Sequence, residues 1–358
     1  MAEMNLYVYN TSFRVISIVD KYSSLIWSDR YDDVGDFELT LPYESKYKSV
    51  FVKDYYCSID YSDRWAVIEK VQIDSDEENN ATMIVTGRHI ESLLSRRIIL
   101  GKTTFGDDKK EVSLQDSIKS LLTKNIISPS DSNRKISNFI FSASTSKAIT
   151  DLTISETFNG ENLLDAISGI CKDKHIGFKV VMNASNQFVF SLYAGKDRSK
   201  SQNTSSYVIF SPYYDNLKSS SYFSSKEEFK NVMIVSKEEN KFVTVPLESN
   251  VSTGLTRREV MEDVSALKEN KEGNLTDKQI QTKAKKKLKE DYKIKTGFEG
   301  EIIPNVMYKY RSNYNVGDKV QFEDAYGNSA VIYISEVVIS FDENGLSILP
   351  TFKEIDWK

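Results

Sequence analysis

Seven short segments with a period of two fill the first hundred residues: "NLYVYN", "FRVISIV", "SLIWSDRY", "DFELTLP", "YYCSIDYS", "RWAVIEKVQID" and "NATMIVTGRHI". Clusters of Asn, Asp and Ser separate them. Short strands between turn residues suggest a β-barrel or sandwich. The stretch "YDDVGDFELTLP" (31–42) shows the pattern best. Asp32 and Asp33 supply turn chemistry, and Gly35 tolerates a positive φ. Phe37, Leu39 and Leu41 then alternate with Asp36, Glu38 and Thr40, as in a half-buried strand. Pro42 cannot donate to a ladder and ends the pairing. The acidic "DSDEENN" (74–80) reads as a hairpin tip.

Beyond residue 100 the period changes. In "SLQDSIKSLLTKNI", Ser113 is a candidate N-cap with Asp116 three residues on, and Leu114, Ile118, Leu121 and Leu122 form an apolar stripe. In "NGENLLDAISGICKDK", Leu163, Leu164, Ile167, Ile170 and Cys171 share a helical face, with Asn159 as the candidate cap. "IGFKVVM" and "QFVFSLY" follow as a hairpin turned at Asn183, Ala184, Ser185 and Asn186. β-texture returns in "NVMIVS" and "KFVTVPL", a charged helical stretch interrupts it, and strands resume in "TGFEGEIIP", "VGDKVQFED", "SAVIYISEVVISF" and "LSILPTF". The reading is a β-rich α+β chain: two barrel-like β domains with two α-containing insertions. The expected divisions are 1–100, a first barrel; 101–215, mixed α/β; 216–255 with 293–358, a second barrel; and 256–292, a charged helical insertion.

The chain has 358 residues, enough for more than one core. No run approaches the length of a membrane span, and the N-terminus lacks the basic-then-apolar pattern of a signal peptide, so synthesis and folding in a cytoplasm are expected. With only two cysteines, a disulfide framework is excluded, and Cys57 and Cys171 read as buried small hydrophobes. A net charge of −5 gives no reason to expect a nucleic-acid binder. His89 and His175 lack a second His or Cys at ligand spacing, so each is expected to be solvated or to cap a helix. A calcium loop from Asp74 fails, with Asn79 where Gly is required and Val85 where a bidentate Glu is required. Phosphate-binding loops, dinucleotide turns and nucleophile elbows are missing. In "KAKKKLKEDYK", Ile280, Ala284, Leu288 and Tyr292 form one helix face, which makes the lysines a solvated back.

Six segments together resemble a family, the siphophage tail-hub proteins related to the central baseplate hub of contractile phage tails. They are "YDDVGDFELTLP", "VTGRHIESLLSRRII" (85–99), "GKDRSKSQ" (195–202), "VIFSPYYDNLKSSSYFSSKEEFKNVMIV" (208–235), "GLTRREVMEDV" (254–264) and "YNVGDKVQF" (314–322). The turn "SKEEN" (236–240) lacks the glycines expected from relatives. The resemblance implies a homotrimer at the distal end of the tail tube. Each protomer would carry two related barrels, so that three present six similar units to a six-fold tube. The insertions would face outward. It further implies a structural virion protein of the tail tip, not an enzyme, that closes the tube and forms part of the DNA-ejection conduit. Implied partners are the distal tail protein, tail tube, tape measure protein and receptor-binding or tail fibre proteins. Phage DNA would pass without sequence-specific binding, and no membrane insertion is implied. Many relatives continue into a wall-hydrolysing or carbohydrate-binding region; this sequence ends at Trp357-Lys358, so wall activity is expected in another protein. Catalytic, cofactor-binding and metal residues are expected to be none, because the motifs read as determinants of fold. The alternative is a tail protein that binds host cell-surface polysaccharide, with its 20 tyrosines as stacking platforms. A wall hydrolase finds no supporting motif.

Overall fold

The computed structural model describes residues 4–78, 80–107, 110–238, 241–248, 253–267, 275–303 and 307–354. The chain divides into two compact units, Met1–Ser219 with Glu301–Lys358, and Ser220–Gly300.

The first unit begins with β1 (Leu6–Tyr9), β2 (Val15–Val19), β3 (Ser24–Arg30), β4 (Asp36–Pro42), β5 (Tyr56–Ile59), β6 (Trp65–Ser75) and β7 (Ala81–His89). These are the seven segments read from the sequence. Phe37, Leu39 and Leu41 of β4 are buried, and the strand ends at Pro42 as expected. The β6–β7 hairpin turns in the acidic segment; Asn79 lies outside the described residues.

Next come α1 (Leu114–Leu122), β8 (Phe139–Ser142), α2 (Leu163–Asp173), β9 (Gly177–Met182) and β10 (Phe188–Tyr193). Ser113 caps α1 by accepting from the Asp116 amide, and the predicted stripe is fully buried. The cap of α2 is Asn162, which accepts from the Leu164 amide, and not Asn159. β8 pairs parallel to β10, and β9 antiparallel to it. Helices α1 and α2 share one core with Val34, Val67, Ile90, Leu93 and Leu94, so this segment packs directly onto the β1–β7 region.

The unit closes with β11 (Ile209–Phe210), β12 (Lys319–Glu323), β13 (Ser329–Asp342) and β14 (Gly345–Glu354). A single eleven-stranded sheet runs β11-β12-β13-β3-β4-β7-β6-β5-β1-β2, with β14 also on β13. The fourteen-residue β13 joins its two parts. One edge pairs first with β12 (Glu323↔Ser329 to Lys319↔Tyr333), then with β3 (Glu336↔Arg30 to Phe341↔Leu25). The other edge pairs with β14 from Ile332 to Asp342, with a bulge between Ile334 and Glu336.

In the second unit, Val232–Glu238 lies between an antiparallel Lys241–Pro246 and a parallel Glu259–Asp263. The turn expected at 236–240 is in this hairpin, with Glu239 and Asn240 outside the described residues. The helix Asp277–Glu290 starts with a capping box between Thr276 and Gln279. It buries Ile280, Ala284 and Leu288 against Met233, Val235 and Val245, with Tyr292 packed beside them. Lys285, Lys286 and Lys289 are exposed, as the helix-face reading requires. The stretch 256–292 is therefore only partly helical, since Glu259–Asp263 is a strand. The segments expected to share a second barrel fall on different sheets: 319–354 on the large sheet, and Val232–Pro246 on the three-stranded one. Leu217–Ser225 and Lys295–Ile302 pair as a two-stranded ribbon carrying the two chain crossings between units.

Candidate functional site

Three of the quoted motifs meet at one point of the first unit. Tyr31, immediately after β3, is buried. Its hydroxyl donates to the His175 carbonyl (3.1 Å) and accepts from the Gly195 amide (3.0 Å). Gly317 has φ +93°, and a Cβ there would lie 2.2 Å from the Tyr31 ring. A Cβ on Gly195 would lie 1.7 Å from the Gly317 carbonyl oxygen. Gly195 thus permits the close approach of the two backbones, and Gly317 makes room for the Tyr31 ring. Asp318 completes the knot, accepting from the Lys196 amide (2.7 Å), the Asn315 amide (3.0 Å) and Arg198 Nε (2.6 Å). The opening turn of β4 is stitched on both sides: Arg30 donates to Asp36 and to Glu336 of β13, and Lys172 of α2 pairs with Asp33, each at 2.7 Å.

A buried polar network lies beside this knot. Asp29 accepts from Trp27 Nε1 (3.0 Å), Ser62 Oγ (2.8 Å) and the Tyr310 hydroxyl (2.7 Å). Burial pushes its carboxyl upward, although Arg64 and the hydroxyl donors pull the other way. Arg64 pairs with Glu91 and donates to the Tyr193 hydroxyl at 3.1 Å. Glu91 also accepts from the Val180 amide at 2.8 Å, and burial pushes its carboxyl up. This network therefore fastens the start of β6, the end of β7 and β9 together.

His89 differs from its expected solvated or capping role. It is fully buried, its ring lies 4.8 Å from that of Trp27, and neither ring nitrogen has a hydrogen-bond partner. The reason is strand phase: Met83, Val85, Gly87 and His89 all point inward from β7. Burial drives its pKa well below the usual range, and the Arg64 and Arg30 charges add to this. The Asp29 carboxylate 4.0 Å away does not reverse the sign. His175 is exposed in the turn after α2, with φ 51°.

A cleft of about 270 Å³ opens at the network, lined by Asp63, Arg64, Lys179, Tyr193, Lys196, Tyr310, Arg311 and Asp318 among others. Lys179 pairs with Asp63 at 2.6 Å. Cys57 and Cys171 are buried elsewhere, and burial pushes both thiols up. Among the described residues, no group of three or more His, Cys, Asp or Glu could hold a metal ion, and no helix is long and apolar enough to cross a membrane. The Asp74 segment is a turn in which Asp76 accepts from the Glu78 and Asn80 amides. Sequence reasoning named no site and missed the cleft, whose walls come from three distant stretches. The arrangement is suited to holding shape and to attracting anions.

A profile of the family described as Siphovirus ReqiPepy6 Gp37-like protein matches residues 5–352. The chain belongs to that family. Its fold is shared with solved phage tail proteins. The 43 kDa tail protein of prophage MuSo2 from Shewanella oneidensis superposes with a TM-score of 0.60 at 13% identity, over 99% of this chain and 98% of that one. A tail protein from Neisseria meningitidis MC58 gives 0.59 at 13%, over 99% and 97%. A chain of the Francisella PdpA-VgrG complex gives 0.52 at 14%, over 98% of this chain and 58% of that one. At such identities the likeness is one of fold. No curated protein matches the chain in sequence.

Proposed function

We propose that this tail protein is a homotrimeric hub at the distal end of the tail tube, closing the tube and forming part of the DNA-ejection conduit. The observation that carries the reading is the large sheet, in which β1–β7 and β11–β14 form two strand groups joined along β13. In this reading each group stands for one barrel, so that three protomers offer six similar units to a six-fold tube. The distal tail protein, tail tube and tape measure protein are the neighbours this role requires, with receptor-binding or fibre proteins attached further out. DNA carries about one negative charge per 1.7 Å, so a conduit must not hold it. A net charge of −5 per chain suits that need, and lumen-facing positions are expected to be acidic or neutral. Synthesis and assembly take place in the host cytoplasm.

Binding of host polysaccharide is a second reading, favoured by Tyr213 and Tyr326, which are 73% and 89% exposed. The Tyr213 hydroxyl donates to the carbonyl of Ala325, the residue before Tyr326, so both exposed tyrosines belong to one region of the surface. Negative-stain class averages with mass measurement in solution separate the readings. Three-fold rings, at three times the 40.9 kDa of one chain, are expected. Monomers that saturably bind purified host cell wall would replace the first reading by the second.

A further inference from the structure

The lining of the cleft includes two cations that make no ion pair among the described residues. Three of its neighbouring pairs are closed: Lys179 with Asp63, Arg64 with Glu91, and Arg198 with Asp318. Lys196 and Arg311 remain at the rim, both exposed and, among the described residues, outside ion-pair distance of any carboxylate. Lys179, Arg64 and Arg311 together hold the Asp63 carboxyl below its usual range despite its burial. This is an unusual patch on a chain whose net charge is −5.

The matching negative charge is at the tip of the β6–β7 hairpin. Residues 73–78 are exposed, so the hairpin end projects from the sheet. Asp74 is occupied by Gln72, and Asp76 by the turn that it caps. The carboxylates of Glu77 and Glu78 have no partner among the described residues. The tip cannot reach the cleft of its own chain. Arg64 directly precedes β6, whose eleven residues carry the tip about 35 Å away at the usual strand rise. A feature and its complement at separate places on one protomer can meet head to tail, which generates a ring if the rotation closes.

We propose that the Glu77–Glu78 tip of one protomer docks into the Lys196–Arg311 cleft of the next copy of this chain. The inference rests on the trimeric reading above and assigns its interface. The contact joins two acids to two bases that make no ion pair among the described residues of their own chain, so it acts chiefly on association and register.

The test uses the full chain, prepared as an equal mixture of ¹⁴N and ¹⁵N protein and treated with a zero-length carbodiimide. The expected product is a mixed-isotope peptide pair joining Lys196 to Glu77 or Glu78. In parallel, Glu77→Lys with Glu78→Lys, and separately Lys196→Glu with Arg311→Glu, are expected to weaken self-association about tenfold or more. The chain carrying all four reversals is expected to recover it, which separates lost contact from lost folding. A trimeric wild type that gives no mixed pair, or that is indifferent to the reversals, overturns the docking and leaves the hub standing. A wild type that is monomeric at all concentrations overturns both. A mixed pair from a dimer keeps the docking and overturns the trimer.

Discussion

Replacing His89 by Leu tests whether the imidazole is sealed inside the fold in its neutral form. The unfolded chain titrates this side chain near 6.5, while the folded chain holds its pKa well below that value. Protons therefore bind the unfolded state first. The stability that His89 contributes is complete above about pH 6.5 and is lost as pH falls, with a limiting slope of about 1.4 kcal/mol per pH unit. At pH 5, one and a half units below the unfolded pKa, the loss is about 2 kcal/mol. The total stability curve is not diagnostic, because Asp29 and Glu91, whose pKa values burial raises, gain protons in the folded state and act in the opposite direction. The difference between wild type and variant is diagnostic, since those groups and the exposed His175 are common to both. Urea unfolding followed by tryptophan fluorescence, to which the buried Trp27 contributes, supplies the curves at each pH from 8 to 5. Whatever packing penalty the Leu brings at pH 8, the wild-type advantage should shrink by about 2 kcal/mol on reaching pH 5. A gap that stays constant with pH would refute the sealed neutral imidazole.

Gly35→Ala is expected to cost about 3 kcal/mol, because its Cβ would meet the Ser28 carbonyl oxygen at 2.1 Å and the His89 ring at 2.3 Å; a lowered urea midpoint with unchanged slope checks this. Arg64→Met alone leaves Glu91 buried without its cation and should cost about 3–5 kcal/mol, whereas Arg64→Met with Glu91→Leu should recover most of that loss in the same assay. Tyr31→Phe removes a hydroxyl that serves both His175 and Gly195, for an expected loss of about 1–3 kcal/mol; an unchanged melting temperature would count against the knot. In the second unit, Ile280→Ala should cost about 2–5 kcal/mol, read as faster amide exchange in the helix and in Val232–Glu238.

Local period made much of the fold legible. The seven first strands, the buried faces of α1 and α2, and the Ile280–Ala284–Leu288 face all follow from spacings of two or of three and four residues. The misses have a common cause, which is that the deciding partner is distant in sequence. Glu259–Asp263 is a strand because Val232–Glu238 offers it an edge, and nothing in "EVMED" announces that. Asn162 outcompetes Asn159 as cap because its side chain also donates to the Ser95 carbonyl, 67 residues away. His89 is the instructive exception. Its inward phase was readable from Met83, Val85 and Gly87, but a polar residue type outweighed the alternation. The cleft could not be read at all, since residues 63–64, 179–196 and 310–318 converge only after folding.

The continuity of β13 has a mechanical consequence. A strand bonded along one edge to β14, and along the other to β12 and then β3, is a beam shared by both halves of the large sheet. Swinging one half away from the other would shear or peel a whole ladder at once, so the sheet contains no soft hinge at this seam. In the proposed ring, a path for DNA would therefore open by motion between protomers, or by departure of other chains, with the large sheet of each protomer turning as a stiff lever.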